Sequence, residues 1–181
     1  MRVISGTLRG RKILGHDIEG TRPTMDRVKE SLFAMIQNKV KDSTVLDLFA
    51  GSGNLGIEAI SNGARLCYFN DINKECIKVI KDNINTFNIE NNINLINKSW
   101  KDALNYIKET SIKFDLIFLD PPYNLECLND VIDTILKYNL LNPNGLIICE
   151  VSNNYLNKWD CLEEIKNKKY GDKYIIILKN K

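Results

Sequence analysis

The hydrophobic positions of this 181-residue chain change their period along its length, and from residue 45 onward short apolar runs alternate with amphipathic stretches. The apolar runs have the length of buried strands and cover residues 45–49, 66–69, 93–96, 115–119 and 145–151. Apolar residues recur at helical spacing between them, over residues 55–60, 73–87, 102–109 and 130–138. Strands that alternate with helices in this way predict an α/β fold with a mostly parallel sheet and helices on both faces.

The two ends of the chain follow other patterns. Residues 1–13 alternate short apolar and basic stretches, which predicts a β-hairpin or an extended arm. Thr24 is a predicted N-cap for a helix that continues to residue 36. Near the end, residues 162–166 and 174–178 flank a turn, so we expect a closing antiparallel hairpin there.

Charge divides the chain unevenly. Residues 1–41 hold nine lysines and arginines against four acids, whereas the remaining residues hold 16 against 19. A basic end on a slightly acidic body predicts a surface for a polyanion. We therefore separate a basic N-terminal arm and helix, residues 1–41, from an α/β domain, residues 42–181, and expect both to form one compact unit.

Cysteine and histidine usage narrows the class of protein. The five cysteines show no C-x-x-C spacing and their number is odd, which is typical of buried thiols in a reducing compartment. His16 is the only histidine, so we expect no metal site. No apolar run approaches the ~18 residues of a membrane span, and the N-terminus lacks the apolar region of a signal peptide. These features favour a cytoplasmic protein, and a monomer is the default in the absence of a dimerisation signal.

A glycine-rich turn follows the first predicted strand. Gly51, Gly53 and Gly56 match the dinucleotide fingerprint, and Asp71 follows at about the ~20-residue spacing of an acid that binds ribose. Asp47, however, precedes the glycines, where its charge would repel a pyrophosphate but would suit a cationic ligand. S-adenosylmethionine carries a sulfonium, an ammonium and a ribose but no phosphate. It is therefore favoured over NAD, over another nucleotide and over a turn that binds nothing.

The tetrapeptide Asp120-Pro121-Pro122-Tyr123 follows the fourth predicted strand. Two prolines cannot extend a strand, so they predict a rigid exit from the sheet. If Asp120 and the Pro121 carbonyl accept the two hydrogens of an exocyclic amino group, its nitrogen lone pair can point at a methyl donor, while Tyr123 stacks on the base. Such a site acts through orientation and electrostatics. The alternative is a simple Pro-Pro turn.

Ligands of open α/β sheets bind at the carboxyl ends of the strands. The predicted strands bring the following residues to that edge: Asp47 with the glycine turn, Asp71, Ser99, Trp100, the Asp-Pro-Pro-Tyr motif of residues 120–123, and Glu150. Four acids and two aromatic residues therefore converge on one edge of the sheet.

These motifs carry a family resemblance. The Asp-Pro-Pro-Tyr motif is similar to that of amino-group methyltransferases. The chain also contains Arg22-Pro23-Thr24-x-Asp26-Arg27-Val28-Lys29-Glu30-x-Leu32-Phe33 and Asp47-Leu48-Phe49-Ala50-Gly51-Ser52-Gly53. With these segments it resembles, over nearly its whole length, the RsmD family, which methylates N2 of a guanine in bacterial 16S rRNA. The resemblance implies a Rossmann-like class I methyltransferase with a seven-stranded sheet, S-adenosylmethionine as cofactor and 16S rRNA or a small-subunit assembly intermediate as partner.

The resemblance also implies roles for individual residues. The residues expected to border the cofactor are Asp47, Phe49, Gly51, Ser52, Gly53, Asn54, Asp71, Ile72, Ser99 and Trp100. The catalytic residues are then Asp120, Pro121, Pro122 and Tyr123. We expect Arg9, Arg11 and Lys12 of the basic arm to contact RNA phosphates, and the likeness adds Arg22, Thr24 and Arg27.

Two other functions remain open at this point. An amino-methyltransferase that acts on adenine or on a protein glutamine would share every motif from Asp47 onward, and only the basic N-terminus argues against it. An NAD-binding oxidoreductase or a non-catalytic nucleotide-binding module would need the glycine motif alone.

Overall fold

The computed structural model describes residues 1–15, 26–122, 127–152 and 156–181. Five α-helices are described: α1 Asp26–Val40, α2 Asn54–Ser61, α3 Lys74–Phe87, α4 Trp100–Glu109 and α5 Leu128–Lys137; a short 3-10 helix covers Glu90–Asn92. The strands are β1 Thr44–Asp47, β2 Leu66–Asn70, β3 Ile93–Ile96, β4 Phe114–Leu119, β5 Leu141–Val151, β6 Leu162–Tyr170 and β7 Lys173–Asn180.

The seven strands form one sheet in the order β3-β2-β1-β4-β5-β7-β6. Strands β1 to β5 run parallel to one another. Strand β7 runs antiparallel to both of its neighbours, β5 and β6. This confirms the predicted mostly parallel sheet with a closing hairpin. The strand order reverses between β1 and β4, where an open α/β sheet leaves a crevice for a ligand.

Each face of the sheet has its own apolar core. Helices α1, α2 and α3 cover one face together with Val3, Leu8 and Ile13 from the N-terminus. Helices α4 and α5 cover the other face. The central strands β1, β2 and β4 are therefore buried on both sides, which explains why they appear in the sequence as continuous apolar runs rather than as alternating ones.

Residues 1–14, called the N-terminal segment below, form a short turn rather than a long hairpin. A single antiparallel bridge joins Arg2 to Lys12, and the N–H of Val3 donates to the Arg11 carbonyl at 2.9 Å. Three apolar residues of the segment, Val3, Leu8 and Ile13, point into the core beside α1 and α3, although Leu14 is exposed. Its basic positions alternate with them and face outward, as the sequence pattern predicts.

Several predicted boundaries were wrong: α1 continues to Val40 rather than residue 36, and β6 to Tyr170 rather than residue 166. Three further differences have a local reason. Strand β1 ends at Asp47 instead of residue 49, because Leu48 and Phe49 already turn toward the glycines. Strand β5 begins at Leu141, and a register shift in its pairing with β4 accommodates the turn-like sequence before Gly145, where Asn144 has φ 60°. Helix α4 begins at Trp100 rather than at residue 102, for a reason given below.

Candidate active site

The two motifs lie side by side at the crevice. Asp47 of β1 pairs in register with Phe118 of β4, and the N–H of Leu48 donates to the Phe118 carbonyl at 3.2 Å. The glycine turn therefore leaves β1 next to the point where Asp120 leaves β4. The sequence predicts both motifs at strand ends, and the strand order makes those ends neighbours.

The glycine turn brings the backbone of α2 close to the sheet. Gly53, the residue before α2, has φ 79°, a conformation that L side chains rarely adopt. A Cβ on Gly56 would lie 2.2 Å from the Phe69 ring, so only glycine allows α2 to pack this closely on β2. Gly53 has no side chain with which to cap α2, and the helix start presents backbone to the crevice.

Asp47 lies beneath the turn rather than on its surface. Asp47 is only 2% exposed, and its Oδ2 accepts the N–H of Gly56 at 3.0 Å. Burial raises the pKa of Asp47 from 3.8 to about 7, with further increases from the charges of Asp120 and Asp71, against a lowering by the Gly56 hydrogen bond. The three carboxyl groups therefore share one electrostatic environment, which favours a cationic ligand and disfavours a phosphate.

Asp71 follows β2 and joins two backbone segments of the site. Its Oδ2 accepts the N–H of Gly51 at 2.9 Å, and its Oδ1 accepts the N–H of Asn73 at 2.9 Å. Each carboxylate oxygen has a second lone pair, so both can still accept ribose hydroxyls. The next residue, Ile72, is 72% exposed and is thus an apolar surface beside the carboxylate.

Ser99 and Trp100 begin α4. The Ser99 hydroxyl accepts the N–H of Asp102 at 3.2 Å and donates to its carboxylate at 2.6 Å. This reciprocal cap explains why the helix starts two residues earlier than predicted. Trp100 is partly buried against the core beneath α4, and the Lys101 ammonium lies 5.3 Å from the centre of its ring. Both residues lie after β3, at the edge where they were expected.

The predicted catalytic motif is described only in part. Asp120 and Pro121 are half-buried and Pro122 is exposed, directly after β4. Tyr123 lies outside the described residues. The fourth acid of the edge, Glu150, is buried on β5 and forms an ion pair with Lys173 of β7.

A buried ionic network beside the turn was not predicted from the sequence. Lys29 of α1 and Glu58 of α2 form an ion pair at 2.8 Å, and both side chains are 0% exposed. The Lys29 Nζ also donates to the Asn54 Oδ1 at 2.6 Å and to the Arg2 carbonyl at 2.7 Å. A signal was present, because Lys29 precedes Leu32 and Phe33 by three and four residues and so lies on the apolar stripe of α1.

Asn83 of α3 makes a second buried link and is 0% exposed. Its Nδ2 donates to the carbonyls of Ser52 and Leu14, both at 3.2 Å, while its Oδ1 accepts the N–H of Leu14 at 2.9 Å. The end of the N-terminal segment is thereby tied to the glycine turn. Nothing in the helical pattern of residues 73–87 indicates this role.

The predicted RNA-contacting residues differ in their surroundings. Arg9, Lys12 and Arg27 are exposed. Arg11 is also exposed, but its side chain is held against the body of the protein: its Nη2 donates to the Thr86 carbonyl at 2.5 Å, and its guanidinium lies 4.6 Å from the centre of the Phe87 ring. Arg22 and Thr24 lie outside the described residues.

The described residues also bear on metal binding and on membrane insertion. Within the described ranges, no group of three or more His, Cys, Asp or Glu side chains could hold a metal ion. None of the described helices has the length and apolar character needed to cross a membrane.

Comparison with known proteins decides the family. Residues 1–179 match the family described as Conserved hypothetical protein 95, which is the RsmD family. The chain belongs to this family. The Ribosomal RNA small subunit methyltransferase D of Haemophilus influenzae is 38% identical over 153 residues, which cover 83% of this chain and 78% of that protein. Membership in the RsmD family confirms the predicted family and an S-adenosylmethionine-dependent methyltransferase.

Solved structures agree with the fold. The candidate methyltransferase yhhF from Escherichia coli superposes with a TM-score of 0.88 at 25% identity, covering 100% of this chain and 98% of that one. The candidate methyltransferase SMU.776, solved in complex with SAH, has a TM-score of 0.72 at 17% identity, covering 88% of this chain and 50% of that one. At 17% identity the likeness shows the fold alone. Together these neighbours confirm the predicted Rossmann-like architecture.

Proposed function

We propose that this RsmD-family protein transfers a methyl group to the exocyclic N2 amino group of a guanine in 16S rRNA. The single observation that carries this proposal is the adjacency of the glycine turn after β1 and Asp120 after β4, within a chain of this family. The relative in Haemophilus influenzae, named for the ribosomal small subunit, supports the choice of RNA. We also propose that the protein acts as a monomer, and an rRNA substrate is consistent with a cytoplasmic enzyme.

The residues of the crevice fit S-adenosylmethionine. Asp47, Asp71 and Asp120 supply negative charge for a cationic ligand, and Asp71 supplies acceptors for ribose hydroxyls. The exposed face of Ile72 suits an apolar contact with a base. Among the described residues, Asn54 also keeps a buried Nδ2 without a hydrogen-bond partner at the start of α2.

The roles of the other residues follow from their positions. Gly51, Ser52 and Gly53 let the backbone approach the ligand, while Phe49, Ser99 and Trp100 border it from the neighbouring strand ends. We assign these contacts as proposals. When bound, S-adenosylmethionine supplies an electrophilic methyl group on its sulfonium.

The chain itself contributes orientation at the target base. Asp120 and the Pro121 carbonyl accept the two hydrogens of the amino group, so that its nitrogen becomes pyramidal and its lone pair is directed into the crevice. Pro121 and Pro122 hold these acceptors rigidly, because neither ring can rotate about φ. Tyr123 stacks on the base. Positioning of this kind, with charge stabilisation in a partly desolvated site, suffices without a strong general base. The methylated nitrogen then loses one proton, for which the Asp120 carboxylate is the neighbouring acceptor.

Mapping of the modified nucleoside tests this function. The protein is incubated with 16S rRNA, or with small subunits, from cells that lack the gene, and the RNA is digested for mass analysis. We expect N2-methylguanosine at one position. Methylation of an adenine, or of a protein, would instead establish the other class of amino-methyltransferase.

A pair of variants tests the role of Asp120. Asp120→Asn should lower the methyl-transfer rate by about 10²-fold or more, because it removes a charge aimed at the amino group. Its affinity for S-adenosylhomocysteine should stay within about threefold, since the proposed interaction is with the base. The matched control is Asp130→Asn, an exposed acid in the first turn of α5, which should leave the rate unchanged. A rate for Asp120→Asn within threefold of the parent would contradict the assignment.

A further inference from the structure

The tip of the β6–β7 hairpin lies at the same edge of the sheet as the candidate active site. Strand β7 runs antiparallel to β5, and Tyr174 pairs with Val151, the last residue of β5. The turn that precedes β7, Gly171 and Asp172, therefore lies at the carboxyl edge of the parallel strands. The strand order places β5, which follows β4, between this hairpin and Asp120.

The hairpin tip is strongly basic. Residues 166–173 contain four lysines and a single acid, Asp172. Lys173 is ion-paired with the buried Glu150 and belongs to the interior of the fold. The other three lysines, Lys166, Lys168 and Lys169, are exposed along β6, the last strand of the sheet.

Two of these lysines lie on the same side of the sheet as α1. Lys166 and Lys168 pair in register with Ile177 and Ile175, whose side chains belong to the core beneath α1. They therefore lie on the α1 side of the sheet, because side chains directly opposite on neighbouring strands share a face. Lys169 pairs with Tyr174, which packs against the core of the opposite face, so Lys169 lies on the other side of the edge strand.

A direct contact joins the hairpin to α1. The Tyr170 hydroxyl is hydrogen-bonded to the Ser31 hydroxyl of α1. Ser31 lies one turn from the exposed Arg27, on the same face of the helix. Aromatic rings support the lysines, with the Lys168 ammonium 5.0 Å from the centre of Tyr170 and the Lys169 ammonium 5.5 Å from that of Tyr174.

We propose that Lys166, Lys168 and Lys169 form a docking surface for the phosphate backbone of RNA that flanks the target nucleotide. The surface deepens the proposed function and rests on it. Phosphate contacts fix the register of a nucleic acid without reading its sequence. A basic strip whose tip lies at the same edge of the sheet as the crevice is suited to hold a strand whose target base enters the site. Arg27 of α1, one turn from Ser31, adds a further exposed positive charge on the side of Lys166 and Lys168.

The competing explanation is protection of an open edge. Strand β6 has one unpaired side, and lysines on edge strands prevent sheets from associating with each other. That explanation predicts that loss of the lysines promotes self-association and leaves RNA affinity unchanged. The two explanations therefore differ in a quantity that can be measured.

The test compares two triple variants with the same change in charge. The first is Lys166→Gln/Lys168→Gln/Lys169→Gln. The control is Lys39→Gln/Lys41→Gln/Lys113→Gln, three exposed lysines that precede β1 or β4 and so lie at the opposite edge of the sheet. For each protein, affinity for 16S rRNA is measured from about 50 to 200 mM salt, alongside S-adenosylhomocysteine affinity and light scattering.

We expect the hairpin variant to lose roughly tenfold in RNA affinity and to flatten the slope of log K against log[salt] by about 2–3, since each lost phosphate contact removes about 0.7–0.9. Its KM for RNA should rise while its S-adenosylhomocysteine affinity is unchanged, and the control should match the parent. An unchanged slope and affinity, with or without self-association, would overturn the docking surface. If the parent protein methylates no rRNA, the proposed function itself fails. If the parent methylates rRNA and the hairpin variant keeps the RNA affinity and salt dependence of the parent, only the docking surface is refuted.

Discussion

The N-terminal segment and the C-terminal hairpin are both basic, but they are attached to the sheet in opposite ways. The N-terminal segment has few backbone bridges and is held by buried side chains, since Glu58 accepts the N–H groups of Ile4 and Ser5 and Asn83 binds Leu14. The hairpin is held by a continuous backbone ladder to β5 and leaves three lysines exposed. Positive charge near the N-terminus thus serves partly to build the site, whereas positive charge on the hairpin faces solvent.

Arg11 and Lys29 show that a basic residue of the N-terminal region can be bound to the protein itself. Each belongs to the basic excess that predicts a polyanion surface, yet Arg11 is bound to Thr86 and Phe87, and Lys29 is fully buried with Glu58. A count of charges does not distinguish a cation that faces a ligand from one that completes the interior. Arg9, Arg11 and Lys12 of the predicted arm are all exposed, but the Arg11 side chain is also held against the body of the protein.

The largest effect should follow from Lys29→Met. Removing one partner leaves the Glu58 carboxylate buried and uncompensated, so we expect the free energy of unfolding to fall by about 3–5 kcal/mol. Denaturant unfolding measures this change. The matched variant on the hairpin, Lys168→Met, should change the free energy of unfolding by less than about 0.5 kcal/mol, because exposed substitutions rarely cost more. Equal losses for the two variants would remove the contrast between the regions.

Gly6→Ala should come next. Gly6 has φ 77°, and a Cβ there would lie 1.9 Å from the Ser61 carbonyl oxygen. Strain and overpacking together should lower the free energy of unfolding by about 2–5 kcal/mol. Gly171 of the hairpin turn has φ 62° with no atom within 4 Å of its Cβ position, so Gly171→Ala should cost only about 1–2 kcal/mol. Thermal unfolding of the pair compares them, and a Gly6→Ala protein as stable as Gly171→Ala would contradict the tight contact.

Asn83→Ala should weaken the link between the N-terminal segment and the glycine turn. The change leaves the Ser52 and Leu14 carbonyls without their buried donor, at a cost of about 1–3 kcal/mol in stability. Because Ser52 lies in the turn, we also expect weaker binding of S-adenosylhomocysteine by calorimetry. Asn180→Ala, which removes an amide bonded to Asn142 at the opposite edge, is the control and should leave that affinity unchanged.

A pH dependence of stability is predicted at Asp47. Its pKa in the folded protein, about 7, lies above its ordinary value of 3.8, so the folded state holds the proton longer than the unfolded state. The resulting stability is present below about pH 4 and is lost as the pH rises toward 7. In denaturant unfolding, the free energy of unfolding of the parent should therefore fall over this range relative to that of Asp47→Asn.

The same carboxyl group should affect the cofactor. A cation favours the ionised acid, so S-adenosylmethionine affinity should rise by up to about tenfold from pH 6 to 8 in the parent. Asp47→Asn should lose this dependence. RNA affinity measured at saturating cofactor should not share it, since no part of the hairpin surface adjoins Asp47. A flat cofactor profile in the parent would show that Asp47 does not respond to the ligand.

The sequence by itself determined the alternation of strands and helices, the glycine turn and the Asp-Pro-Pro-Tyr motif. These features are local: strand and helix periods, the backbone freedom of Gly53 and the restriction imposed by Pro121 and Pro122 act within a few residues. Parallel strands then bring their carboxyl ends to one edge whatever the strand order. For this reason the amino-acid pattern alone is sufficient to group Asp47, Asp71 and Asp120.

Only the tertiary structure decided which polar residues are interior and which face a partner. Lys29 meets Glu58, Leu14 meets Asn83, and the hairpin meets α1 through Tyr170 and Ser31, all across long separations in the chain. The strand order, with β7 between β5 and β6, carries the hairpin tip to the edge of the active site. Burial depends on what packs against a side chain from distant parts of the sequence, so the pattern around a lysine cannot show whether its charge is enclosed or exposed.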